Sequence, residues 1–422
     1  MLTRDACTAL DAQDPLADLR TQFDLPAGRI YLDGNSLGAL PRSTAPRLQQ
    51  VVTQDWGQGL IESWNTAHWM TWPQGVGDKI ARLIGAAPGE VIAADSTSVN
   101  LYKVLSAATR VQRLAQPAHH VLLSQRDNFP TDLYIAQSVC AAAGWRLELA
   151  EAGAIQARLA AGDVAVLMLT HVNYRTGALH DMAALTAQAH AAGALAVWDL
   201  AHSAGSVPVR LHAVDADFAV GCGYKFLNGG PGAPAFVWVH PRHADVAQPL
   251  SGWIGHAQPF NFTTHYKPAA GINHYLCGSP PILGLAALDC GVDSVLAAEP
   301  LGGMAALHAK AGQLGDLFMR LVDERCAGLG LDAASPRDAA QRGSQVSLAH
   351  AQAWPVMQAL IARGVIGDFR AGVNGDPDLL RFGFTPLYLR FVDVWDAVET
   401  LADILGSRSW DVPTFHARKA VT

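Results

Sequence analysis

The chain has 422 residues, half of them hydrophobic and 16% charged, and its 37 acidic against 30 basic side chains leave a formal net charge of −7. That length and balance belong to a globular protein with room for two or three structural units, not to a disordered chain. An acidic surplus without a basic stripe excludes nucleic acid as the main partner, because nothing would neutralise a run of phosphates.

The N-terminal stretch "MLTRDACTALDAQDPLADLR" is polar and mixed in charge and has no apolar signal-peptide region. No apolar run approaches the roughly 18 residues that span a bilayer, so no membrane contact is expected, and scattered, unpaired cysteines make a cytoplasmic location the expectation. Six short apolar runs then predict buried strands: "EVIAA" (90–94), "HVLLS" (120–124), "VAVLMLT" (164–170), "ALAVWD" (194–199), "DFAVG" (217–221) and "AFVWV" (235–239). Helical patterns lie between them, including 96–114 and 180–193, the second capped by Asp181 and ended by Gly193. Continuous apolar strands alternating with helices predict the α/β class, with a mainly parallel sheet covered on both faces. We assign that organisation to residues 51–290. Residues 291–422 read as a smaller α+β domain, with residues 1–50 packing against it. Six scattered cysteines with no CxxC pair read as reduced thiols and not as a zinc site.

In an open α/β sheet, ligands bind beyond the carboxyl ends of the strands, and that is where polar residues gather in this chain. "DSTSVN" follows the first run and opens a helix, so Thr97 and Ser98 are either plain caps or part of an anion cradle. "QRDNFPTDL" follows the second, with Phe129 held extended before Pro130, as core packing or as a stacking plate. Thr170 ends the third run. Asp199 ends the fourth, either as a helix cap or aimed at a cationic ring nitrogen, and His202 follows three residues later. After the fifth comes Lys225, a lysine with no charged neighbour for several residues, followed by glycines and Pro231 that let the backbone turn away. Each feature alone has an ordinary structural explanation. Together and in this order, they are the parts needed to hold pyridoxal 5′-phosphate: an amine to anchor it, a carboxylate for its ring nitrogen, an aromatic plate and a phosphate cradle.

With these residues placed, the chain resembles the kynureninases, within the fold-type I (aspartate aminotransferase-like) pyridoxal phosphate enzymes. The resemblance runs over nearly the whole length, through "YLDGNSLGALP" (31–41), "NFPTD" (128–132), "WDLAHSAGSVPV" (198–209), "GCGYKFLNGGPG" (221–232), "SGWIGH" (251–256), "CGSPPILGLAAL" (277–288) and "LRFGFTPLY" (380–388). It implies that Lys225 is the Schiff-base lysine, Asp199 the partner of the ring nitrogen and Phe129 the stacking ring. Asp132 and His202 then lie near the ring substituents, and Thr170 lies beside the cofactor. Thr97, Ser98 and Tyr224 bind the phosphate, with Trp253 and Ser279 reaching it from the second subunit of a homodimer. Arg381 grips the substrate carboxylate, and Asn35, Ser36 and Trp64 complete the substrate site. Trp64 and the pair Gly278–Ser279 stand where animal enzymes that prefer 3-hydroxykynurenine carry His and Asn, which implies a preference for L-kynurenine. The implied activity is hydrolysis of L-kynurenine to anthranilate and L-alanine, in tryptophan degradation or NAD biosynthesis, with Tyr224 assisting proton transfer. An aminotransferase or cysteine desulfurase on the same fold, or a non-catalytic ligand-binding relative, stays open at this point. A nicotinamide-dependent dehydrogenase is disfavoured, because no GxGxxG follows the first strand.

Overall fold

The computed structural model describes residues 2–373 and 375–419. A short N-terminal strand, β1 (Ile30–Tyr31), is followed by β2 (Val91–Ala93), β3 (Val121–Gln125), β4 (Arg146–Ala150), β5 (Val164–Thr170), β6 (Leu195–Asp199), β7 (Phe218–Gly221) and β8 (Phe236–Val239). Strands β2 to β8 make one seven-stranded sheet in the order β2-β8-β7-β6-β5-β3-β4. Strand β8 runs antiparallel to both its neighbours, and the other pairings are parallel. This is the expected α/β class with a mainly parallel seven-stranded sheet.

All seven residues of β5 are buried, because helices cover both faces of the sheet. Ala165, Val166 and Met168 enter a core with Leu101, Val104 and Ala108 of the helix Thr97–Ala115, while Leu167 and Leu169 enter a second core with Leu185 and Ala189 of the helix Met182–Ala191. Asp181 caps the latter helix by accepting from the Ala184 N–H at 2.9 Å, and Trp198 Nε1 ties β6 to it by donating to Thr186 Oγ1 at 3.1 Å. Register then does the positioning: Thr170 pairs with Asp199 across β5 and β6, and Asp199 with Val220 across β6 and β7. The carboxyl ends of these strands therefore lie side by side.

Beyond the helix Ile282–Leu296, within which position 290 falls, the chain continues as the helix Gly303–Arg325 and the strands β9 (Asp332–Ala333), β10 (Gln345–Ala349), β11 (Val365–Ile366), β12 (Asp368–Arg370) and β13 (Leu379–Gly383). A four-stranded antiparallel sheet in the order β12-β13-β10-β9 packs against the helices Gly303–Arg325 and Ala353–Ala362. Its register sets Arg381 on β13 between Asp368 on β12 and Ser347 on β10. Strand β1 pairs in parallel with β11, and the loop after β1 runs on to the Lys225 turn, where the Gly38 N–H donates to the Tyr224 carbonyl at 2.8 Å. Among the described residues no helix is long and apolar enough to cross a membrane.

Candidate active site

A cavity of about 470 Å³ opens at the carboxyl ends of β2, β3, β5, β6 and β7. Thr97, Ser98, Phe129, Asp132, Thr170, Asp199, His202, Tyr224 and Lys225 all line it. Their convergence follows from the topology, since each stands within a few residues of a strand end or on the turn after it. Lys225 reaches in from the turn after β7, and Gly232, at φ +75°, carries the backbone away along the cavity wall.

The Lys225 amine donates to His202 Nε2 at 3.0 Å and lies 5.8 Å from the ring centres of Phe129 and Tyr224. The other ring nitrogen, Nδ1, is a buried atom with no hydrogen-bond partner. Burial, and then the Lys225 charge, push the His202 pKa well below its ordinary value, so this ring is neutral. Asp199 is 3% exposed and accepts from the Ala201 N–H at 2.7 Å. Burial pushes its carboxyl up, against the opposing pull of Lys225 and the Ala201 N–H. Asp132 is raised well above the usual carboxylate range, first by burial and then by the adjacent Asp199 charge. Two buried carboxyls side by side invite a positive group between them. Burial likewise raises the Tyr224 phenol, with Cys222 and Asp199 adding to the effect, so it stays protonated.

On the phosphate side, Ser96 caps the helix Thr97–Ala115 by accepting from the Val99 N–H at 3.3 Å. The first turn of that helix carries backbone N–H groups with no partner one turn back. Asp95, just before it, has φ +50° and is held by an ion pair at 2.5 Å to Lys103, a fully buried lysine that also donates to the Tyr275 carbonyl. This pair was not visible as part of the site, because Lys103 sits among ordinary helix residues in the sequence.

Arg381, Asn35 and Ser36 lie behind the cavity wall, not on it. Arg381 is 1% exposed; its Nη1 donates to the Tyr174 carbonyl at 2.7 Å, and its Nη2 donates to Ser36 Oγ at 2.7 Å and to Asp368 Oδ2. Burial lowers its pKa to about 10, which still leaves it charged. Asn35 is fully buried and donates to Gln345 Oε1 at 3.3 Å. Tyr174, which sequence reasoning passed over although it follows β5 by four residues, lines the cavity and meets Phe129 edge to face at 5.2 Å. Asn128 was passed over too: its Oδ1 accepts from Thr170 Oγ1 and from the Phe129 N–H, setting the angle of the aromatic plate. Trp64, Trp253 and Ser279 do not join the cavity of their own chain. Trp64 and Trp253, both half-buried, meet edge to face at 6.2 Å, and Ser279 is exposed.

The donor set fits pyridoxal 5′-phosphate. There is one amine, a buried carboxyl pair for a cationic ring nitrogen, a ring face, an unpartnered His202 Nδ1, and a helix N-terminus with hydroxyls for the phosphate. This sheet order and this lysine place the chain in the fold-type I architecture. A cysteine desulfurase from Thermococcus onnurineus superposes with a TM-score of 0.79 at 18% identity, over 92% of this chain and 98% of that one. The structure of the cystine C–S lyase C-DES with glycine linked to its pyridoxal cofactor superposes at 0.76 and 17% identity, over 91% and 99%. At such identities the likeness is one of fold. Sequence similarity is far closer to another group. Kynureninase from Pseudomonas fluorescens is 52% identical over the full length of both chains, and that from Burkholderia pseudomallei (strain 1106a) is 53% identical over the same extent. The kynureninase C-terminal domain model matches residues 307–401. The chain belongs to the kynureninase family.

Proposed function

We propose that this protein is a pyridoxal phosphate-dependent hydrolase that cleaves the Cβ–Cγ bond of L-kynurenine to anthranilate and L-alanine. The observation that carries the reading is Lys225 at 3.0 Å from His202 in one cavity with the buried Asp199 and Asp132, in a chain 52% identical from end to end to a kynureninase. When bound, the cofactor supplies an electron sink for negative charge at the substrate Cα. With the cofactor bound, Asp199 would face its ring nitrogen and keep a proton there, and the Lys225 amine would carry the proton at the substrate Cα. Arg381 binds the α-carboxylate. Tyr224, kept protonated by its surroundings, donates toward the γ-carbonyl oxygen as water adds there.

Trp253 and Ser279 contact the phosphate of the partner subunit in a homodimer, and Trp64 offers the substrate ring an apolar wall that favours kynurenine over its 3-hydroxy form. The six free cysteines support a cytoplasmic location. The desulfurase reading loses support at its own requirement, a reactive thiol: Cys326 is 3% exposed, and burial raises it to about 11.

Incubating the purified holoenzyme with L-kynurenine and analysing products tests the reading. Anthranilate and alanine in equal amounts are expected, whereas a keto acid from the kynurenine side chain would make it an aminotransferase. Lys225→Ala is expected to lose turnover together with the yellow absorbance of the lysine-bound cofactor. Near-normal turnover in that variant would remove Lys225 from its assigned role.

A further inference from the structure

Arg381 is held unusually firmly for a side chain meant to meet a substrate. Its cross-strand partner Asp368 is 4% exposed, and a single oxygen of that carboxylate, Oδ2, takes Arg381 Nη2, Arg370 Nη2 at 2.6 Å and Ser36 Oγ at 3.1 Å. Ser36 belongs to the same loop that docks on the Lys225 turn through Gly38. Tyr174, whose carbonyl accepts from Nη1, lines the cavity wall. The guanidinium is therefore pinned on two sides, and Nε is left buried with no partner. Arg370 and the buried Asp33 complete the cluster, so two arginines and two carboxyl groups share one closed network around this guanidinium.

We propose that Asp368 is a positioning residue: it fixes the guanidinium plane of Arg381 in the orientation that serves the substrate carboxylate. The proposal rests on the reading of Arg381 as the carboxylate-binding group. Two effects of Asp368→Asn compete. Removing a negative charge alone would tighten carboxylate binding, while freeing the guanidinium would weaken it, and the double pinning of Arg381 says that orientation wins.

The test is steady-state kinetics on the holoenzyme together with inhibition by L-alanine, the product that keeps the same carboxylate. Asp368→Asn is expected to raise the KM for L-kynurenine and the inhibition constant of alanine together, on the order of 10- to 100-fold. Saturated kcat should fall no more than a few-fold and the cofactor absorbance should be unchanged, a split that general loosening of the fold would not give. An unchanged or lowered KM overturns the proposal, provided Arg381→Gln raises it. If Arg381→Gln leaves KM unaltered as well, the reading of Arg381 falls and the proposal falls with it. Should Asp368→Asn not fold, Ser36→Ala removes the second acceptor on Nη2. A several-fold rise in KM is then expected, and no rise overturns the proposal.

Discussion

Asp33 sits in the same cluster as Arg381, Arg370 and Asp368, and its carboxyl is pushed up to about 7, first by burial and then by the Asp368 charge, against the pull of Arg381. In an unfolded chain it titrates near 3.9. The folded state thus holds the proton more tightly. The favourable contribution of this group is complete below about pH 4 and is lost as pH rises through about 7. Asp33→Asn keeps the shape and removes the ionisation. Its melting temperature relative to the unmodified protein should therefore climb between pH 5 and pH 8, measured by thermal melts of the holoenzyme at both values. A difference that stays constant between them would mean that Asp33 does not titrate in the folded protein as its surroundings require. The same local physics keeps His202 neutral beside Lys225 and Tyr224 protonated, so burial sets the protonation of two side chains in the cavity as well as of Asp33 in the cluster behind its wall.

At the level of elements, the loop from 33 to 40 joins the Arg381 cluster to the lysine turn, and Gly38 is where the two backbones touch. A Cβ on Gly38 would stand 2.4 Å from the Lys225 carbonyl oxygen and 2.6 Å from the Asn228 Cα, both backbone atoms that have little room to yield. Gly38→Ala should cost about 1–3 kcal/mol of stability and also lower kcat/KM, because the turn bearing Lys225 must shift. Denaturant unfolding alongside kinetics checks both, and wild-type values for each would mean that the loop and turn are not rigidly coupled. The sequence shows such contacts unevenly. The apolar runs that became β2, β3, β5, β6, β7 and β8 were legible because each is buried on both faces. Strand β4 escaped notice because it is a half-exposed edge strand carrying Arg146 and Glu148. The direction of β8 was also hidden, since "AFVWV" reads alike either way. Only the helix-free stretch from 222 to 235 marks an antiparallel return. Strand ends located the cavity residues; the strand pairing that sets Asp368 opposite Arg381 needs the folded sheet.

Across the whole molecule, the feature that one chain leaves open is the aromatic patch around Trp253 and Phe260. Trp253 packs edge to face on Phe260 at 5.9 Å and on Trp64 at 6.2 Å, and Phe260 and Phe262 are 61% and 77% exposed. Exposed aromatic surface of this kind marks an interface, and the proposed homodimer would cover it with a second copy. If Trp253 and Ser279 complete the partner's phosphate site, each active site draws its lysine from one chain and part of its cradle from the other. Two defective variants should then rescue each other. A dimer of Lys225→Ala with Trp253→Ala contains one site with an intact Lys225 facing an intact Trp253, and one site lacking both. Random reassortment after mixed refolding makes about half the dimers hybrid, so recovered activity should approach about a quarter of that of the unmodified enzyme. It should also exceed the sum of the two variants refolded separately. Activity that never exceeds that sum, in a sample whose mass shows hybrid dimers, would confine each site to a single chain and leave the aromatic patch with a purely structural role in pairing.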